Sequence, residues 1–292
     1  MKTRKTGLTY IKRRVGLRAS KIWREITAKQ RALPDFVIIG TQKGGTTSLH
    51  KYLRRHPNIV PAYKKEVKFF DCNYDKGLDW YRAHFPYDNK INHSDLQTGE
   101  ASPHYLFHPL TPERIAKILP HIKLIALLRD PVERAFSHYK GNVRAGRESL
   151  TFEEAIASEP ERLDGIEKKI RDGLDTPLHN YLHYSYLTKG IYVDQLKNWF
   201  QYFDRDQILI LSSETFYEDP DKIYRQILDF LDLPSFQLGD YQKYNEGLYK
   251  LMKPETREKL YDFFLPHNER LFDLLGVDYG WNRSENRKRR LT

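Results

Sequence analysis

Cysteine is nearly missing from this chain: Cys72 stands alone among 292 residues. That excludes an internal disulfide framework and any cysteine-rich zinc site. Nowhere do about 18 apolar residues run together, so no membrane-spanning helix is expected. The amino terminus has no apolar stretch of the secretory kind. These absences lead to the expectation of a cytoplasmic protein in a reducing compartment, at most peripheral to a membrane. No repeat with a period of about 20–50 residues divides positions 34–280, nor does a low-complexity linker, so a single domain is expected there.

Acidic residues are scarce at both ends. Residues 1–33 hold 11 lysines and arginines against Glu25, and residues 281–292 hold five against Glu285. The net charge of +10 therefore sits in the tails, while residues 34–280 carry 33 basic and 37 acidic residues, a balance of −4. Such a body is not a cationic platform for nucleic acid, and no nucleic-acid partner is expected. The chain is expected to divide into a basic amphipathic arm (1–33), a folded domain (34–282) and a basic tail (283–292). In the arm, Ile11, Val15, Ala19, Ile22 and Ile26 recur at helical period. Three readings stay open: a helix lying on an anionic membrane surface, a helix packing its apolar stripe on the domain, or a solvated arm.

What the chain does contain is a run of strand-then-helix signals. Phe36-Val37-Ile38-Ile39, Leu124 to Leu128 and Ile208 to Leu211 are short continuous apolar runs, the pattern of strands buried on both faces. Helical stripes follow them: Leu49, Tyr52 and Leu53 after the first, a helix capped by Asp130-Pro131 with Glu133 after the second, and a helix over 221–231 behind Asp219-Pro220 after the third. The alternation predicts a three-layer α/β fold, P-loop-like, with a central parallel sheet flanked by helices.

The loop Gly40-Thr41-Gln42-Lys43-Gly44-Gly45-Thr46-Thr47-Ser48 joins the first strand to its helix. Glycines let backbone N–H groups approach an anion, and the helix N-terminus adds partial positive charge. Lys43 adds a full charge, and the hydroxyls add donors. The loop differs from that of ATP- and GTP-binding proteins, in which Ser or Thr directly follows Gly-Lys and holds magnesium. Arg129 closes the second strand at its carboxyl end, where ligands of open α/β sheets bind, and Ser137 follows two turns into the next helix. Taken alone, Arg129 can also be a structural partner of Asp130 or Glu133, and Glu66 a surface partner of Lys64, Lys65 or Lys68.

Together the loop and Leu128-Arg129-Asp130-Pro131-Val132-Glu133-Arg134-Ala135-Phe136-Ser137 resemble the sulfotransferases that use 3′-phosphoadenosine 5′-phosphosulfate (PAPS). Four further segments resemble the heparan sulfate N- and 3-O-sulfotransferase branch: Lys65-Glu66-Val67-Lys68-Phe69-Phe70-Asp71, Gly77-Leu78-Asp79-Trp80-Tyr81, Gly99-Glu100-Ala101-Ser102-Pro103-His104-Tyr105 and Tyr192-Val193-Asp194-Gln195-Leu196-Lys197-Asn198-Trp199. The resemblance implies in-line transfer of a sulfuryl group from PAPS to a hydroxyl or amine of a carbohydrate, lipid-linked or small-molecule acceptor, leaving adenosine 3′,5′-bisphosphate. It implies that Lys43, Gly44, Gly45, Thr46 and Thr47 hold the 5′-phosphosulfate, and that Arg129 and Ser137 hold the 3′-phosphate. Lys43 would stabilise the leaving phosphate, and Glu66 would be the base. No metal is expected.

His104 or His108 are alternatives for the base, and Lys243 and Lys250 fall where the family closes a loop over the nucleotide. Two departures bear on the acceptor: Ala101 stands where the heparan enzymes have lysine, and the cysteine pair of the 3-O enzymes is missing. With a body charge of −4, a neutral glycan, glycolipid or small alcohol is favoured over a long polyanion. The competing functions are a P-loop-type kinase and a non-catalytic protein that binds anions or lipid.

Overall fold

The computed structural model describes residues 20–91, 95–174, 178–242 and 252–282. Four strands are formed by Phe36–Gly40 (β1), Gly99–Ala101 (β2), Lys123–Leu128 (β3) and Ile208–Ser212 (β4). They make one parallel sheet in the order β2-β1-β3-β4, with Phe36 opposite both Gly99 and Lys123, and Leu124 opposite Ile208. The three apolar runs read from the sequence are β1, β3 and β4. The short β2 was not anticipated, because only three residues pair and the central one is the ionisable Glu100.

Alternation along the strands divides the core. Val37, Ile39, Leu124, Ala126 and Leu128 face one layer, where Tyr192, Val193, Leu196 and Trp199 of the helix Tyr192–Trp199 pack. Phe36, Ile38, Ile125 and Leu127 face the other, against Leu49 and Tyr52 of the helix Thr46–Leu53 and Ile223 and Ile227 of the helix Pro220–Phe230. Both faces are covered, which is why these strands read as unbroken apolar runs rather than alternating ones. Each fully buried Leu, Ile or Phe contributes about 1.5–3 kcal/mol relative to exposure.

The helix Pro131–Arg144 starts as its sequence dictates. Asp130 accepts from the N–H groups of Val132 (2.9 Å) and Glu133 (3.3 Å), and Pro131 occupies the first turn. The reciprocal half of the capping pair differs from expectation. The Asp130 N–H donates to Glu214 Oε1 (3.1 Å), and Glu133 pairs with Arg257 of the helix Pro254–Leu275. A tertiary ion pair has taken the place of the local capping hydrogen bond.

At the amino-terminal side, a helix through 20–26 and a turn at Ala28–Gln30 dock through Thr27, Ala28, Arg31 and Ala32, all buried. Arg31 reaches Phe85 O (2.9 Å) and Thr27 Oγ1 (2.9 Å). Ile22 and Ile26 face away from the body, so packing of the apolar stripe on the domain does not occur at these two positions. Ile11, Val15 and Ala19 lie outside the described residues.

Candidate active site

The loop after β1 is built by close backbone approaches that only glycine permits. A β-carbon on Gly44 would stand 2.4 Å from Leu127 O of β3, and Gly45 has φ 100° at the helix N-cap. The Thr41 N–H donates to Leu127 O (2.9 Å) and the Gly44 N–H to Thr41 O (2.9 Å), folding the loop back onto the sheet end. The N–H groups of Gly45, Thr46 and Thr47 precede that of Ser48, the first to reach a helical carbonyl (Gly45 O, 2.9 Å), so helix geometry provides them no acceptor. Ser48 is buried and its hydroxyl meets Tyr217 OH (3.2 Å), which also lies against Gly45.

Lys43 itself lies in left-handed backbone, φ 72°. Its side chain crosses to the helix Pro131–Arg144, where the ammonium lies 2.5 Å from the place a β-carbon on Gly141 would take. Ser137, half-buried, is one turn earlier on that face of the helix. Arg129 Nη1 donates to Lys43 O (3.1 Å), and the Arg129 carbonyl accepts from Tyr192 OH (2.9 Å). Lys43 and Arg129 thus meet at neighbouring strand ends. Burial, then the nearby Arg144 and Arg134, hold the Lys43 ammonium below the ordinary lysine range, while Glu66 pulls the other way. Cations gathered at a desolvated place repel one another, and an anion relieves that repulsion.

Glu66 reaches the same loop through Lys65, whose ammonium donates to Thr47 Oγ1 (3.0 Å) and to Glu66 Oε1 (3.2 Å). Lys68 lies 3.5 Å from Glu66 Oε2, and the carboxylate remains 39% exposed. Ion pairs of Glu66 with Lys65 and Lys68 are therefore present, and the Lys65 pair ties Glu66 to the glycine-rich loop. Glu66 (φ 58°) and Lys68 (φ 57°) both adopt left-handed backbone. Of the four non-glycine residues with positive φ among those described, three are Lys43, Glu66 and Lys68. Such conformations persist only where surroundings impose them, and they gather at functional sites.

Glu100 supplies those surroundings. It is fully buried, and its oxygens accept from Ser102 (2.7 Å), Tyr81 (2.8 Å) and Tyr105 (3.1 Å). Ser102 Oγ in turn accepts from the Lys68 N–H (3.1 Å), Tyr105 OH from the Phe69 N–H (2.8 Å), and Ala101 O from the Glu66 N–H (3.0 Å). Burial pushes the Glu100 carboxyl up to about 7 against the pull of these hydrogen bonds.

His104 and His108 are buried, and burial depresses them to about 4 and about 3. His104 Nδ1 contacts Asp71 Oδ2 (3.2 Å), and its Nε2 has no partner. Glu66 keeps the solvent access that these imidazoles lack. The two histidines stand four residues apart, as do His179 and His183, a spacing seen in paired ligands. Among the described residues, however, no group of three His, Cys, Asp or Glu side chains is placed to hold a metal ion.

One participant was missed in the sequence. Lys189 is 2% exposed, and its ammonium donates to Gln42 Oε1 (3.3 Å), beside Lys43, and to Leu182 O (2.6 Å). Only the packed fold brings it there, across 147 positions. Lys243 and Lys250 lie outside the described residues.

A glycine-rich strand-to-helix loop beside an arginine that follows the adjoining parallel strand is an arrangement of P-loop-like folds that bind phosphorylated ligands. Residues 33–259 match the family model described as a sulfotransferase domain, and the chain belongs to that family. It is thereby an enzyme of the class that draws its sulfuryl group from PAPS. It is 28% identical to the membrane-associated sulfotransferase kil1 of Dictyostelium discoideum, over 88% of this chain and 68% of that protein. It is 32% identical to the human heparan sulfate glucosamine 3-O-sulfotransferase 3B1, over 86% of this chain and 65% of that one. Among solved structures, a sulfotransferase from Alicyclobacillus acidocaldarius is similar with TM-score 0.67 and 32% identity, over 86% of this chain and all of that one. The chain thus spans about two thirds of the length of these curated relatives, and no helix among the described residues is long and apolar enough to cross a membrane.

Proposed function

We propose that this chain transfers a sulfuryl group from PAPS to a hydroxyl or amine of a carbohydrate, with Lys43 and Glu66 as the catalytic residues. The observation that carries the reading is the convergence of three side chains on one sheet end: Lys43, Arg129 bonded to its carbonyl, and Glu66 joined through Lys65 to Thr47. The donor set suits a bisphosphorylated nucleotide. The open N–H groups of Gly45, Thr46 and Thr47, preceded by Gly44, would receive the 5′-phosphosulfate. Arg129 and Ser137 would receive the 3′-phosphate, Arg129 as a planar fork. The relatives' names supply the carbohydrate class, and Ala101 and the body charge keep neutral glycans and glycolipids among the acceptors to test.

Bound PAPS supplies an activated sulfuryl group whose departure leaves a phosphate. Lys43 stabilises the charge that grows on that phosphate, an interaction stronger in the transition state than before it. Glu66, exposed at the rim, takes the proton released by the attacking hydroxyl or amine. Lys65 holds both the Glu66 carboxylate and Thr47, fixing the base relative to the loop.

Thermal denaturation tests the nucleotide half. Adenosine 3′,5′-bisphosphate should raise the melting temperature well beyond ATP with magnesium; equal shifts would overturn the reading in favour of a phosphotransferase. A screen with radiolabelled PAPS against neutral glycans, glycolipids, heparan sulfate and phenols tests the acceptor half. Label appearing only in phenols would overturn it.

A further inference from the structure

The helix through 20–26 presents an apolar side to solvent. Ile22, Trp23 and Ile26 are 56%, 59% and 72% exposed. The display is held in place rather than loosely attached. Trp23 Nε1 donates to Tyr87 OH (2.9 Å), Arg31 lies 4.3 Å from the Tyr87 ring centre, and Arg31 is itself buried against Thr27 and Phe85 O. Lys21, Arg24 and Lys29 accompany the three apolar side chains, and the 19 residues before the helix add seven lysines and arginines with no acid. Isoleucine and tryptophan beside a dense positive charge, offset only by Glu25, which pairs with Lys21 (3.7 Å), match the interface of an anionic bilayer, which takes up apolar side chains and attracts cations. The apolar side chains alone would suit a second copy of the chain as well; the charge would then repel its own image.

The same helix touches the segment that leads to Glu66. The Arg24 guanidinium lies 4.0 Å from the Tyr63 ring centre, and Tyr63 is itself 51% exposed. From Tyr63 the chain runs through Lys64 and Lys65 to Glu66, at most about 11 Å of backbone. We propose that Ile22, Trp23 and Ile26 seat the enzyme on an anionic membrane surface and thereby bring the Tyr63–Glu66 edge to acceptors carried on lipid. The lipid-linked acceptor rests on the sulfuryl-transfer reading above; the membrane seat does not.

The full chain is tested by co-sedimentation with vesicles of phosphatidylcholine, alone or mixed with phosphatidylserine, at low and high salt. The wild type should sediment with the mixed vesicles, not with phosphatidylcholine alone, and less at high salt. Ile22→Asp combined with Ile26→Asp, both on the exposed side, should weaken that binding by about tenfold or more. The double variant should keep the thermal shift from adenosine 3′,5′-bisphosphate. It should also sulfate a soluble glycan at the wild-type rate, and a vesicle-borne glycolipid at a correspondingly lower one. Undiminished vesicle binding by the double variant, or no vesicle binding by the wild type, overturns the proposal. So does a wild-type dimer that the variant dissociates, because a second copy would then cover the face. Loss of the nucleotide shift and of all transfer, with vesicle binding intact, would instead count against the reaction and the acceptor and leave the seat standing.

Discussion

The Lys43 ammonium occupies the space that a side chain at Gly141 would fill, 2.5 Å from that missing β-carbon, with Lys43 Cε at 3.1 Å. The helix Pro131–Arg144 thus carries a glycine in its last turns where the loop lysine lies against it. Glycine inside a helix costs about 1 kcal/mol relative to alanine. The local cost coincides with room for the charge next to the proposed leaving group.

Gly141→Ala should therefore separate stability from activity. The helix gains up to about 1 kcal/mol from propensity, while the displaced ammonium lowers kcat with PAPS. Urea denaturation and turnover on one preparation check this. A variant that is both unchanged in activity and more stable would show that the Lys43 position is not critical.

Lys43→Ala should lower kcat by about a hundred- to a thousandfold, the usual cost of removing one transition-state charge contact. Glu66→Gln should lower transfer by about a hundred- to ten-thousandfold. Calorimetry with adenosine 3′,5′-bisphosphate distinguishes them, because Glu66→Gln should bind it normally and Lys43→Ala weakly. Transfer that survives in Glu66→Gln would direct attention to His104, whose Nε2 is unpartnered and which Asp71 orients.

Nucleotide affinity should respond to alkaline pH earlier than an ordinary lysine would allow. Burial and the neighbouring Arg144 and Arg134 lower Lys43 from its usual 10.5, and the charged form is the one that attracts the anion. Affinity should stay level below the lowered value and fall as pH rises through it. In Lys43→Arg, whose guanidinium stays charged, the fall should disappear. Titration of adenosine 3′,5′-bisphosphate across this range is the measurement.

Glu100 makes a stability prediction with a definite sign. Its carboxyl is raised from 4.5 to about 7, so the folded chain holds a proton that the unfolded chain has released. This contribution favours the fold below pH 4.5 and is lost as pH rises toward 7, amounting to about 3 kcal/mol. Glu100→Gln, which cannot ionise, should gain on the wild type in urea denaturation as pH is raised through that window. A constant difference between the two proteins would rule out the shift.

The loop and Arg129 could be read from the sequence because their chemistry is local: glycines between an apolar run and a helical stripe, and an arginine where such a run stops. The Asp130 cap was legible for the same reason. What remained hidden depends on contacts distant in the chain. Nothing near Glu66 and Lys68 signals left-handed backbone, which Ala101 and Ser102 help impose from another segment. Glu100 looks like a surface acid beside Gly99, and its burial requires Tyr81 and Tyr105 to arrive. Glu133 followed the local rule for a cap until Arg257 offered a buried partner.

The placement of β1 between β2 and β3 has a kinetic corollary. Lys43 and Arg129 lie 86 positions apart and meet only when strands distant in sequence have paired. Parallel pairing of this kind must first overcome the entropy of closing long loops. The proposed nucleotide site should accordingly mature only after β1 and β3 have paired, not as either strand alone is made. A fluorescent analogue of the bisphosphate would then report the pairing of β1 with β3.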